Sequence, residues 1–384
     1  MFNMENRMVD FKIKTIKLWF LRRYEKMVES KWTRLFIITS IVQTFITIII
    51  QSLVVGRNQY ASSFFQDSWQ EQLKIDNSTS FECKANIVAR MYNIVGENII
   101  ILLSNVFLLF FCYDAIFNQN TIQIITVVIV NYAIGIVAAI QIVEIHRWKD
   151  QAVECVPSFK TFNFKVEFYE VPSIVILLLC ATMMGFFTWK LYQQFGWNIY
   201  KRIGADRNMQ KIFRSMLIFV MHLKLDLFFM VVLSVVACVV LSQNDKLHST
   251  PLYWFHVIVT VLIFILQGLA YHMLREESHL GMKIFIGLWL IPIADFIALL
   301  IKSIGTSAQD SWYFFIIFIV FGIIMALLTI IWSIIVLNNF DKGLKRHLTT
   351  GIGNIQRPPI TEQTSQTQPP SRWAIDDEDD QSYP

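Results

Sequence analysis

LIFVMHLKLDLFFMVVLSVV, Leu217 to Val236, is long and apolar enough to cross a bilayer as a helix, yet it carries Lys224 and Asp226. Residues two apart point to nearly opposite sides of a helix, so this ammonium and this carboxylate cannot neutralise each other. His222 and Asp226 are four apart and share a face, which makes a His–Asp contact feasible. Lys224 must look elsewhere, and the acids available to it are Asp114 and Asp295. Depth decides what these charges mean. If the buried part of the helix starts at Leu223, Lys224 snorkels to the headgroups and only Asp226 is buried. If the helix is centred, each charge costs about 3 kcal/mol, and a paired, watery site follows.

Working outward, the same character recurs along the chain. Of 384 residues, 55% are hydrophobic and 16% charged, against about a quarter charged in soluble domains. Runs at roughly Leu35–Val55, Ile99–Phe117, Thr121–Val143, Val171–Tyr192, Ser215–Ser242, Pro251–Leu274, Lys283–Ile301 and Trp312–Leu337 each supply close to the ~20 residues of a spanning helix. None alternates as a barrel strand would. The expected fold is an all-α polytopic bundle of about eight spans, with residues 35–337 in the bundle.

Lysine and arginine set the orientation. With a cytosolic N-terminus, 22 fall on the cytosolic side and 10 on the other, so both termini are expected in the cytosol. Residues 1–34 then form a basic arm. An apolar patch of four residues, Leu18 to Leu21, is too short for a signal peptide, and the arm reads as a partly amphipathic helix lying on anionic lipid. Residues 56–98 and 144–170 become luminal loops. The first contains the glycosylation triplet Asn77-Ser78-Thr79. Cys83 and Cys155 lie one in each luminal loop, where an oxidising compartment favours a bridge; two free thiols are the alternative.

On the other side, residues 196–214 form a cytosolic loop. Asp206 there can cap a helix whose Met209, Ile212, Phe213 and Met216 share one face. That element is either a helix on the membrane surface or an extension of the fifth span. Residues 338–384 read as a disordered tail rich in Gln, Thr and Pro. It ends in an acidic block where Asp376 and Glu378 have the spacing of a di-acidic export signal for coat or sorting proteins.

CYDAIFNQNTIQ from Cys112, Asn131, Ala139-Ile140-Gln141, WKLYQQFGWNIYKRIGADRNM from Trp189 and LKLDLFF from Leu223 resemble a family of fungal Golgi-apparatus membrane proteins. The similarity covers roughly Asn98 to Arg275. It departs in the fifth span, where LKLDLFF stands for a more Phe-rich string. The resemblance implies a multi-pass protein of the Golgi or neighbouring endomembranes and no particular activity.

Catalytic motifs for nucleotide binding, zinc hydrolysis or serine nucleophiles are absent, so no enzyme, cofactor or nucleic-acid partner is expected. His256 and His272 are sixteen apart and cannot share a metal, and His222 with Asp226 offers two ligands at most. Asp295 follows Pro292 by three residues, a position that suits either a polar kink inside the bundle or a broken helix lining a site. Two function classes follow. One is a membrane-organising or trafficking component. The other is a small-solute or proton-coupled transporter using His222, Lys224, Asp226 and Asp295.

Overall fold

A computed structural model describes residues 28, 30–75, 81–163, 165–203, 206–242, 251–309 and 313–342. Asn77, Asp376 and Glu378, most of the basic arm, and all but the first residues of the tail lie outside the described residues. Eight long helices account for nearly everything else: α1 (Lys31–Ile75), α2 (Phe81–Phe117), α3 (Thr121–Cys155), α4 (Val166–Ile203), α5 (Arg207–Ser242), α6 (Pro251–Glu276), α7 (His279–Gln309) and α8 (Tyr313–Leu337). A short 3-10 turn, Pro157–Thr161, links α3 to α4. All eight are long and apolar enough to cross a membrane. Their outer faces carry Phe110, 66% exposed, and Ile258, 65% exposed, side chains that only lipid would solvate well.

The helices divide into two consecutive four-helix bundles. In the first, α1 packs on α2 and α4, and α3 packs on α2 and α4. In the second, α5 packs on α6 and α8, and α7 packs on α6 and α8. Over the described residues α4 and α5 scarcely touch although they are consecutive, and the bundles meet where α2 and α3 face α5 and α8. Each bundle has its own core. Phe219, Met230, Leu233, Ile263, Phe285, Trp289 and Ile319 fill the second. Phe36, Ile101, Phe111, Ile124, Leu177 and Leu191 fill the first, which also takes Met221, Leu225 and Phe229 from α5.

Small residues let some pairs approach closely. A Cβ built on Gly322 of α8 would sit 2.9 Å from Leu233 Cδ2 of α5. One on Gly135 of α3 would lie 3.1 Å from Leu178 Cδ2 of α4. Contacts this tight are the van der Waals substitute for a hydrophobic drive between helices in lipid.

Two of the expected loops are corrected. Residues 56–98 and 144–170 are mostly helical, because α1, α2 and α3 run on past the span-length apolar stretches. At 45, 37 and 35 residues they reach about 68, 55 and 52 Å, well beyond a ~30 Å hydrocarbon layer. Hydropathy falls in these extensions but helical periodicity persists. Ile87, Met91 and Ile94 of α2 and Ile145, Trp148 and Ala152 of α3 form one core with Phe65, Trp69, Phe159 and Phe162. Cys83 and Cys155 are bridged across this helical cap, with Cα atoms 6.3 Å apart. Arg57 of α1 pairs with Glu170 of α4 beneath it.

The 196–214 loop is also mostly helix. α4 continues to Ile203, and Asp206 Oδ1 caps α5 by accepting from the backbone N–H of Asn208 (2.8 Å) and Met209 (3.4 Å). The Asp206–Met216 element is therefore the N-terminal extension of the fifth span. Its Met216 is buried, and Ile212 and Phe213 pack on the second core.

Candidate functional site

The second bundle holds the intramembrane ionisable groups in separate layers. Asp295 of α7, one turn past Pro292, lies against His256 of α6, with Oδ2 and Nδ1 2.5 Å apart. Both side chains are fully buried. The other ring nitrogen, Nε2, is 3.1 Å from the backbone carbonyl of Ser234 in α5. A carbonyl only accepts, so Nε2 carries a hydrogen. Nδ1 faces the carboxyl oxygen Oδ2 of Asp295 on the ring's other side. The arrangement ties three helices at one level.

Asp226 sits in a different layer. It is fully buried on α5 and accepts a hydrogen bond from Thr329 Oγ1 of α8, while its Oδ1 has no hydrogen-bond partner. Along α5, Asp226 and Ser234 are about 12 Å apart, so Asp226 and Asp295 do not converge. His222, a turn before Asp226, is buried with Nδ1 unpartnered. No hydrogen bond joins it to Asp226.

Lys224 points away from both, toward the first bundle, where it pairs with Asp114 of α2 rather than with Asp295. Gln123 Nε2 of α3 donates to the same carboxylate oxygen at 2.8 Å, and Asn118 Nδ2 donates to the other at 3.0 Å. Lys224 and Asp114 are each about one-third exposed (31% and 37%). The pair lies three residues from the end of α2, as a snorkelling lysine would. It fastens α5 to α2 across the seam between bundles.

The first bundle is held by amides. Gln43 of α1 and Asn131 of α3 exchange two hydrogen bonds, both 2.8 Å, and Gln43 Nε2 also reaches Asn105 of α2 at 3.2 Å. Glu97 of α2 accepts from Gln141 of α3 at 3.1 Å. Glu144 of α3 accepts from the backbone N–H of Phe314 at 2.7 Å, a second tie between bundles. Among the described residues no three His, Cys, Asp or Glu side chains gather as a metal site would require.

Residue-by-residue reading misses the His256–Asp295 pair, because spacing says nothing about side chains 39 apart on different helices. The available signal is that each ionisable group in a span needs a partner. That signal marks His256 and Asp295 as groups in need of partners and does not say that they are each other's.

Comparison with known proteins follows the same lines. The chain is 24% identical over 267 residues to the UPF0658 Golgi apparatus membrane protein of Schizosaccharomyces pombe, a match covering 63% of this chain and 74% of that one. The resemblance to the fungal Golgi-membrane family is borne out. No family model matches the chain, and no solved structure matches it. With eight apolar helices and this relative, the chain is a multi-pass membrane protein of the Golgi apparatus.

Proposed function

We propose that the protein is a membrane-organising or trafficking component of the Golgi membrane, without catalytic activity. The observation that carries this reading is the use to which the buried polar groups are put. Asp295 is consumed in a three-helix tie, and Asp226 is joined to Thr329 about 12 Å away along α5. Groups that clamp helices at separate levels hold a scaffold together; a transport path would bring them onto one hydrated cavity. In this reading both termini are cytosolic, as the lysine and arginine distribution favours. The cap bridged by Cys83 and Cys155 is luminal, Asn77 carries glycan, and Asp376 and Glu378 recruit coat proteins.

A second reading, proton-coupled transport, draws on the unpartnered Oδ1 of Asp226 and Nδ1 of His222 inside the second bundle. One comparison separates the two. Asp226→Asn and Asp295→Asn, singly, are expected to leave the protein in the Golgi, whereas removing residues 359–384 disperses it to earlier compartments. Loss of a solute or proton flux in sealed Golgi vesicles from Asp226→Asn, with flux intact in the tail deletion, would overturn the scaffold reading.

A further inference from the structure

The seam between bundles opens sideways into a groove of about 370 Å³, within the ~300–1,000 Å³ of small-molecule sites. α2 forms one wall from Tyr92 to Leu103, α5 the other through Val231 and Val235, and α8 closes it with Phe314 and Phe318. Three features describe what would fit.

The first is polarity. Polar side chains line one end alone, at Tyr92, Asn93 and Glu97, and the Glu97 carboxylate is turned to Gln141. Everything further along is aliphatic or aromatic. The second is length. From Tyr92 to Leu103 the wall runs about 16 Å, close to half of a ~30 Å hydrocarbon core and so to one leaflet. The third is depth. Gly96 faces the groove, and a Cβ added there would meet no atom within 4 Å. The missing side chain leaves the trough open beneath Tyr92.

We propose that this groove binds one acyl chain of a glycerophospholipid from the leaflet on the disulfide side, with the headgroup beside Tyr92 and Asn93 and the chain running down to Leu103 and Val231. An apolar void does not fill with water. The bilayer surrounding these helices offers chains of matching length and polarity at the groove's open side. The proposal depends on the chain spanning a membrane and is independent of the scaffold reading.

The test uses the full-length protein in phosphatidylcholine vesicles containing a trace of phosphatidylcholine with a diazirine midway along one chain. After illumination, adducts are mapped by mass spectrometry. Label is expected to concentrate on 92–103 and 231–236, about tenfold above the lipid-facing Ile129 of α3 and Ile258 of α6. Gly96→Phe fills the trough and is expected to lower groove label about tenfold, a change of ~1.4 kcal/mol in affinity. Ile258→Phe should leave it unchanged. Val235→Phe, on a half-exposed position of the opposite wall, is expected to act like Gly96→Phe, and an intact Cys83–Cys155 bridge reports that each variant has folded. Uniform label over all lipid-facing helices would reduce the groove to ordinary bilayer contact and overturn the proposal. So would preferential capture of a photoreactive sterol, or crosslinking there to a second copy of the chain. Should neither variant fold, the wild-type label map alone decides between these outcomes.

Discussion

Replacing Asp295 with leucine is expected to cost about 3 kcal/mol of fold stability, and adding His256→Phe to that variant is expected to restore about 2 kcal/mol. Two magnitudes compete. Hydrogen bonds between helices in membranes average only ~0.6 kcal/mol, with a maximum near 1.7, because the unfolded chain in lipid also finds partners. Breaking a buried pair by removing one member costs ~3–5 kcal/mol, because the other is stranded. Geometry favours the lower end of the second range. Both side chains are fully buried, and the ring is already fixed at its far end by Ser234, so a stranded Nδ1 has little freedom to find another partner. In the double variant no polar group is stranded, and apolar replacements of similar volume are commonly close to neutral. The assay is a double-mutant cycle read by tryptophan fluorescence during reversible unfolding by SDS in mixed micelles. Two single costs that simply add, with a coupling below about 0.5 kcal/mol, would refute the three-helix tie.

Other perturbations should rank in a definite order by the same assay. Gly322→Leu is expected to cost about 1–3 kcal/mol, because its side chain must displace Leu233. Gly268→Ala, with nothing near its added carbon, is expected to gain up to about 1 kcal/mol. Lys224→Met is expected to change stability by less than about 1 kcal/mol, since its ion pair with Asp114 is about one-third exposed; a loss comparable to that of Asp295→Leu would refute the snorkelling geometry. Cys83→Ser opens a bridge spanning a sequence separation of 72 residues and is expected to loosen the cap by ~2–4 kcal/mol. Limited proteolysis should then cut within 56–98 or 144–170 while the spans stay protected.

Much of the fold is legible in the sequence because crossing a bilayer imposes a length and a composition that few other structures share. The same signal is blind to what lies beyond the lipid. Ile145, Trp148 and Ala152 keep a helical stripe through a charged stretch, and hydropathy ends the span where the helix does not end. Spacing along α5 excludes a Lys224–Asp226 pair but cannot choose between Asp114 and Asp295, since that choice depends on which helices are neighbours. The grouping into two bundles is equally invisible, because it lives in contacts such as Phe107 of α2 stacked 4.2 Å from Phe228 of α5 and leaves no internal repeat. The spacing of His222 and Asp226 allows a contact that the structure does not make, so partners within a span as well as across the seam require the packing.

The seam follows from how the polar groups are distributed. Gln43, Asn105 and Asn131 bind three helices of the first bundle to one another, and Ser234, His256 and Asp295 do the same in the second. Between bundles, among the described residues, the polar ties are Lys224 to Asp114 near one end of α2, Thr126 Oγ1 of α3 to the Met221 sulfur of α5, and Glu144 to the N-terminus of α8 at the other end. Between them the halves meet through aromatic contacts around Phe107, Phe228 and Phe229. The joint has least to hold it where side chains are small or absent, as at Gly96 in the groove that Val231, Val235 and Phe314 also line. An acyl chain in that gap would supply dispersion contacts that neither bundle provides for itself. The stability of the joint between bundles would then depend on the lipid around it, and the stability of each bundle would not.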